Sequence, residues 1–160
     1  VSWRNPGYRV AIDSIDNHLG QAREFDRAAV PLGMYVAWCV NLGLVSDAVL
    51  AEHERMVLRV RMHDAQGSDL LTAMGGELND AHLNSRGKEF TDGYYAGYLQ
   101  DYAEVFGEHF YETEDNWDNY MKLTAVLTPK LLGPKLRPQW PIDTNKLRGA
   151  IKKRWQQLWH

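Results

Sequence analysis

Histidine, aspartate and cysteine are the side chains of this sequence that could do chemistry, and their spacing decides which chemistry is open to them. Six histidines are present, but the sequence contains no His-Glu-x-x-His or Glu-x-x-His pattern, the arrangements that place metal ligands on one face of a helix. Phosphate-cradling glycine loops, dinucleotide fingerprints and Gly-x-Ser-x-Gly are missing as well. The sequence therefore predicts no metal site and no bound cofactor.

Two single positions could carry acid–base chemistry. His53 falls in the apolar face of a predicted helix, where it is either a catalytic histidine or a core histidine with a hydrogen-bonded partner, the more common situation. Asp101 falls among tyrosines on one helical face, so it is either a general base or the centre of a structural polar hub with Tyr94 and Tyr98. Cys39 lies in a segment that is apolar on every side and is predicted to be a small core residue. We therefore expect no catalytic residue, and a protein that is not an enzyme.

Acidic and aromatic residues collect between Asp80 and Tyr120, which holds six of the eight tyrosines and three of the four phenylalanines. From Ser46 to Tyr120 sixteen acidic residues face five basic ones, a net charge of -11, whereas the segment from 121 to 160 carries +8. Such a mixture of carboxylates and rings is either a solvated face or a protein-binding surface for a basic partner. The predicted contact residues are Glu108, Phe110, Tyr111, Glu112, Glu114, Asp115, Trp117 and Asp118.

Helices are predicted to position these residues. The segment after Pro31 is apolar all round, which indicates a central buried helix beginning at that proline. Asn84 is a predicted N-cap for a long helix that runs to Gly107. Residues 108–114 have little helical pattern and are predicted to form a short extended hairpin. The following helix should end at Pro129, because proline disfavours a helix interior.

These elements predict an all-α fold, a compact single-domain bundle of about six helices. Four parts are expected: an irregular N-terminal arm (1–30), a helical core domain (31–128), a proline-rich linker (129–142) and a basic amphipathic helix (143–160) packed on the same domain. The acids of the chain offer that basic helix an intramolecular counterpart, so neither nucleic acid nor a membrane is the expected partner. With one cysteine and no apolar run of eighteen residues, a cytoplasmic protein is expected.

Aromatic, glycine and polar residues recur at fixed spacing from Phe25 to Tyr120. The pattern comprises FDRAAVPLGMYVAWCVNLGLVS, Leu83-Asn84-x-x-Gly87-x-x-Phe90, Tyr94-Tyr95, Tyr98, Asp101-Tyr102 and Asp115-x-Trp117-x-Asn119-Tyr120. It resembles a family of small uncharacterised helical bacterial proteins that are often encoded beside antibacterial polymorphic toxins. That resemblance implies an immunity protein. The family is expected to have a histidine before Gly-Met where this chain has Leu32, so a polar role at that position is in doubt here.

The resemblance and the acidic surface lead to one hypothesis and two alternatives. The hypothesis is an immunity protein that binds a cognate secreted antibacterial toxin and occludes its basic active-site cleft. The first alternative is a small enzyme that uses Asp101, tyrosines or His53 to reverse a toxin modification. The second is a regulatory module whose basic last helix binds nucleic acid or a membrane.

Overall fold

The computed structural model describes residues 9–133 and positions 153, 154, 156 and 157. Contacts divide the chain into two compact units, residues 1–126 and 127–160. The fold is mainly helical with one small antiparallel sheet, which confirms the predicted mostly-α class. The elements are β1 (Ala11–Ser14), α1 (Asp16–Ala22), α2 (Phe25–Asn41), α3 (Asp47–Glu52), α4 (Glu54–Arg61), α5 (Gly67–Ala73), β2 (Glu77–Asn79), α6 (Ser85–Tyr94), α7 (Tyr98–Phe106) and α8 (Trp117–Leu132).

Helix α2 is the centre of the first unit. Every residue from Ala28 to Val40 is buried, including the fully enclosed rings of Tyr35 and Trp38. A helix that is apolar on every side can be stable only inside a core, so the predicted central buried helix is confirmed. Its predicted start at Pro31 is wrong. The helix begins six residues earlier because Ala28, Ala29 and Val30 continue the buried surface, and the proline removes only one backbone hydrogen bond.

Two glycines bring the backbones of α2 and α5 into direct contact. A β-carbon built on Gly67 would lie 1.9 Å from the carbonyl oxygen of Gly33, and one built on Gly33 would lie 2.5 Å from the backbone nitrogen of Ser68. No β-carbon can occupy either position without moving a helix. The contact therefore fixes Ser68 and its neighbours on α5 against the N-terminal half of α2.

Residues 9–30 form regular elements, which corrects the expected irregular arm (1–30) over its described part. Within its described part, residues 9–30, the chain forms β1, α1 and the first turns of α2. Strand β1 pairs with β2 in antiparallel register, with Asp13 opposite Leu78 and an irregularity between Ala11 and Asp13. The four residues of β1 are too few to show the alternating pattern of a strand. The strand is stabilised by pairing with β2, which lies more than sixty positions away in sequence.

The long helix predicted from Asn84 to Gly107 is interrupted. Asn84 does cap α6, since its Oδ1 accepts a hydrogen bond from the backbone of Gly87 at 2.9 Å. However, Tyr95–Gly97 forms a single 3₁₀ turn between α6 and α7. Gly97 is the last residue of this turn and Gly93 lies two residues before it. Glycine is a poor helix former because it loses more backbone freedom on folding than other residues.

Two further boundaries differ from the predictions. The extended hairpin expected at 108–114 is wrong, because this segment contains the 3₁₀ turn Phe110–Glu112 and the antiparallel strands lie at β1 and β2 instead. Pro129 lies inside α8 and does not end it. Most of the predicted linker (129–142) and of the predicted basic helix (143–160) lies outside the described residues. The four described positions of the predicted basic helix, 153, 154, 156 and 157, are helical. Within the described part of the chain, no helix is long and apolar enough to cross a membrane.

Candidate functional site

An open cleft lies where the start of α2, helix α5 and the segment after the Phe110–Glu112 turn meet. Its volume is about 650 Å³. Five carboxylates and one guanidinium line it, together with the exposed ring of Phe25. We call it the acidic cleft; its lining residues are Phe25, Asp26, Arg27, Ala29, Val30, Ser68, Asp69, Thr72, Glu112, Thr113, Glu114 and Asp115.

Asp115 is the most enclosed carboxylate of the acidic cleft. It is half-buried, whereas Asp26, Asp69, Glu112 and Glu114 are exposed. The hydroxyl of Ser68 donates a hydrogen bond to Asp115 Oδ2. Burial raises the pKa of Asp115, the hydrogen bond from Ser68 opposes the rise, and the neighbouring charge of Asp69 adds to it. A carboxylate that has lost much of its water gains more than an exposed one from a cationic partner.

Some acids of the acidic cleft have local structural roles and others do not. Asp69 accepts a hydrogen bond from the backbone of Gln66 at 2.8 Å and so caps α5. Arg27 pairs with Glu24, with 3.3 Å between Nε and Oε2. Among the ion pairs of the described residues, none involves Glu112, Glu114 or Asp115. These three carboxylates are therefore available to a partner's cations.

The other predicted contact residues lie beside the acidic cleft but differ in exposure. Glu108 and Asp118 are exposed. The ring of Phe110 packs edge-on against the buried Tyr102, with 5.7 Å between ring centroids. Trp117 stacks on His63, with 3.9 Å between centroids and 7° between planes. Contacts within the chain therefore cover much of the surface of Phe110 and Trp117.

The stack of His63 on Trp117 supports a stability prediction. The backbone φ of His63 is 59°, in the left-handed region that residues other than glycine seldom adopt. We expect His63→Ala to lower the free energy of unfolding by about 0.5–1.5 kcal/mol, because it removes the ring contact and keeps the backbone strain. His63→Asn is the matched control, since asparagine tolerates positive φ but also lacks the ring. Urea unfolding followed by tryptophan fluorescence measures both; wild-type stability in both variants would contradict a stabilising stack.

The residues of the predicted polar hub do not all meet. Tyr94 donates a hydrogen bond from its hydroxyl to Asp101 Oδ2 at 2.6 Å. Tyr98 instead donates to the carbonyl oxygen of Pro31 at 2.6 Å and is fully buried. His53 lies half-buried between α3 and α4, in a cleft that contains Glu52, Glu54, Arg55 and Arg59 but not Asp101. The cleft that contains His53 thus does not include Asp101, whereas Asp101 and Tyr94, another pairing in the enzyme alternative, are hydrogen-bonded to each other.

A second constellation centres on Asp13 and His18 of the N-terminal segment, which the sequence interpretation passed over, and it includes Tyr111, one of the predicted contact residues. His18 is 3% exposed, and its Nε2 lies 2.8 Å from Asp13 Oδ2. Its Nδ1 lies 2.6 Å from the hydroxyl oxygen of Tyr111. Tyr95 donates its hydroxyl hydrogen to the same Asp13 oxygen. A strand, a helix and two 3₁₀ turns therefore converge on one buried histidine, an arrangement we call the His18 relay (Asp13, His18, Tyr95 and Tyr111).

Asp13 carries the negative charge of the His18 relay. Burial acts to raise its pKa, but hydrogen bonds from His18, Tyr95 and Asn17 outweigh burial and hold the pKa below the usual value. The backbone of Ser14 and the amide of Asn17 bond to Oδ1, at 2.8 and 3.0 Å. Asp13 is therefore an ionised carboxylate near neutral pH, and it accepts every one of these hydrogen bonds.

Tyr111 connects the His18 relay to the surface. It lines a smaller pocket of about 300 Å³ with Gln21, Ala22, Arg23, Arg27, Glu108, His109 and Glu112. Burial and the charge of Asp13 both raise the pKa of Tyr111, so this phenol stays protonated at neutral pH. Arg27 and Glu112 line both this pocket and the acidic cleft, which makes the two sites neighbours.

Other candidate chemistry finds little support in the described residues. Cys39 is fully buried and its thiol has a pKa raised by burial, as in the core role predicted for it. In residues 9–133 and the four described tail positions, no group of three or more His, Cys, Asp or Glu side chains could hold a metal ion.

Comparison with known protein families identifies a family model that covers most of the first unit. A family model described as a domain of unknown function (DUF7832) matches residues 11–116, about two thirds of the chain. The chain belongs to this family. The matched range contains the His18 relay and every residue of the acidic cleft, and it ends just before Trp117. No curated protein and no solved structure matches the DUF7832 chain.

Proposed function

We propose that this DUF7832 protein is an immunity protein, which binds a cognate secreted antibacterial toxin and covers its basic active site with the acidic cleft. The observation that carries the proposal is the cleft itself: carboxylates from α2, α5 and the segment after Phe110–Glu112 converge around an exposed phenyl ring. Opposite charge accelerates association with a basic partner, and aromatic anchors supply contact area.

The partner's chemistry follows from the lining of the acidic cleft. Phe25 is 48% exposed, so its ring can contact a cation or an apolar group of the partner. Glu112 and Glu114 are exposed and have no ion pair within the described residues. Arginine and lysine side chains around a toxin's active site would satisfy both features, so inhibition by occlusion needs no reaction on the part of this protein. A cytoplasmic location, where a producing cell would need protection, belongs to the same proposal.

Charge reversal in the acidic cleft tests this function. Glu112→Lys combined with Glu114→Lys is expected to weaken binding to the proposed cognate toxin, sought as the product of the adjacent gene, by at least tenfold, because two attractive contacts become repulsive. The measurements are calorimetric affinity and rescue of growth when toxin and protein are expressed together. Affinity of the wild type should also fall as salt is raised.

The matched control reverses two exposed acids on α6, Glu89→Lys with Asp92→Lys, which changes the net charge equally. This control should retain affinity and protection. Equal loss in both double variants would mean that only overall charge matters, and the acidic cleft would not be the binding surface. If the wild type neither binds nor protects, the immunity function itself is wrong.

A further inference from the structure

The His18 relay has a direction that its hydrogen bonds determine. An ionised carboxylate can only accept, so Nε2 of His18 carries a proton and donates to Asp13. In a neutral imidazole the other nitrogen is then an acceptor. While His18 is neutral, Nδ1 therefore accepts the hydroxyl hydrogen of Tyr111 across the 2.6 Å contact.

Protonation of His18 reverses the last of these bonds. With both ring nitrogens protonated, Nδ1 becomes a donor, and Tyr111 must accept from it. The hydroxyl hydrogen of Tyr111 is then free to point elsewhere. No other hydrogen bond to Tyr111 Oη is found within residues 9–133, so the second hydrogen-bonding position of this oxygen is open to a bound molecule.

We propose that Tyr111 is a specificity-determining contact of the binding surface, and that the protonation state of His18 sets its hydrogen-bond polarity. With neutral His18, Tyr111 can only accept from a partner, so it selects a donor such as a guanidinium or a backbone N–H. With protonated His18, Tyr111 donates and selects an acceptor. This inference rests on the proposed binding function for its partner, but the reversal itself is a property of the free protein.

Charged and titratable groups near the His18 relay lie on several elements. They are Asp13 on β1, Asp16 on α1, Arg23 after α1, Arg27 on α2, Tyr95 in its 3₁₀ turn, and Glu108, His109, Tyr111 and Glu112 before α8. Among these groups, Asp13 and Tyr111 bond to the ring of His18, and Tyr95 bonds to Asp13. The reversal at Tyr111 can therefore be distinguished from the others by its dependence on His18.

NMR of the full chain, labelled with ¹³C and ¹⁵N, tests the reversal without a partner. Where its ring shifts show His18 to be neutral, the ring should be the Nε2–H tautomer. As the pH is lowered, the ¹³Cζ shift of Tyr111 should change in step with the titration of His18, whereas Tyr95, which donates to Asp13 in both states, should show no such reversal. An Nδ1–H tautomer, or a Tyr111 shift that stays constant through the titration of His18, would overturn the proposal.

His18→Gln provides a fixed neutral mimic, because its amide nitrogen can donate to Asp13 while its oxygen accepts from Tyr111. The pH-dependent change in the ¹³Cζ shift of Tyr111 should be absent from this variant. If the variant does not fold, the tautomer and the titration of His18 in the wild-type protein still test the reversal at Tyr111.

Binding of a deca-arginine peptide tests the contact. Where NMR shows His18 to be neutral, Tyr111→Phe should bind at least about tenfold more weakly than the wild type, since a hydrogen bond to a charged donor is lost. Where NMR shows His18 to be protonated, the two proteins should bind equally. A ratio of one in both states would overturn the role of Tyr111. Absence of binding by either protein would count against the acidic cleft as a site for cations, while the NMR result decides the reversal separately.

Discussion

Replacing Gly67 with alanine is expected to lower the free energy of unfolding by about 3 kcal/mol or more, or to prevent folding. The added β-carbon would lie 1.9 Å from the carbonyl oxygen of Gly33 and 2.8 Å from the β-carbon of Ala37. Overpacking a core commonly costs about 1–3 kcal/mol. Here the obstacle is helix backbone, which cannot move aside as a flexible side chain can, so the upper end of that range is the expected minimum.

Gly20→Ala is the matched control for this prediction. Gly20 lies in α1 with no atom within 4 Å of a built β-carbon. Alanine is the better helix former there, so this variant should be as stable as the wild type or up to about 1 kcal/mol more stable. Thermal and urea unfolding followed by circular dichroism compare the two variants. A Gly67→Ala protein with wild-type stability would mean that α2 and α5 do not approach as closely as described.

Asp115→Asn should separate stability from function. The pKa of Asp115 is higher in the folded protein than in the unfolded chain, mainly because of burial. The folded protein therefore holds the proton of this carboxyl group more tightly than the unfolded chain does. The ionised side chain therefore destabilises the fold at pH 7, and the cost disappears as the pH falls below the unfolded value of 3.8. Asparagine keeps an oxygen that can accept from Ser68 and carries no charge. The variant should be more stable than the wild type at pH 7 and equal to it in acid.

The same variant should bind its partner at least about 30-fold more weakly, because removing one member of a buried charge pair commonly costs about 2–5 kcal/mol. A residue that costs stability and supplies affinity is the pattern expected at a functional site. Urea unfolding between pH 3 and 8 and calorimetric binding at pH 7 measure the two effects. Thr72→Ser, a mild change at another position lining the acidic cleft, controls for general disturbance. Unchanged affinity in Asp115→Asn would remove this carboxylate from the interface.

The parts of the fold that local sequence signals determine are the parts that could be predicted. The apolar run after Pro31 predicted the buried α2, because such a segment has no stable place on a surface. Asn84 was predicted as a cap from its position before the next helical segment, and Gly87 is its hydrogen-bond donor. Gly87 also has a reason that the sequence does not show: a β-carbon there would lie 2.2 Å from the carbonyl oxygen of Leu44.

The missed features depend on contacts between distant residues. The pairing of β1 with β2 places Asp13 opposite Leu78, and a four-residue strand carries almost no pattern of its own. His18 looked isolated because its hydroxyl partner is 93 positions away. The acidic segment was visible as charge and rings, whereas no sequence signal linked Phe25 and Ser68, on the other walls of the acidic cleft, to that segment. Composition thus pointed to one wall of the site, and only the packing supplied the others.

The wide separation of the residues in the His18 relay has a consequence for the lifetime of the site. Its members come from β1, α1 and two later 3₁₀ turns, so no single element contains it. Local fluctuations that release one helix or loop normally leave the rest of a domain folded. For this relay, release of the N-terminal segment or of the turn at Tyr111 would each suffice to break the chain of hydrogen bonds. The relay therefore exists only while separate parts of the first unit are docked at the same time, and its persistence is limited by whichever of these parts opens most readily.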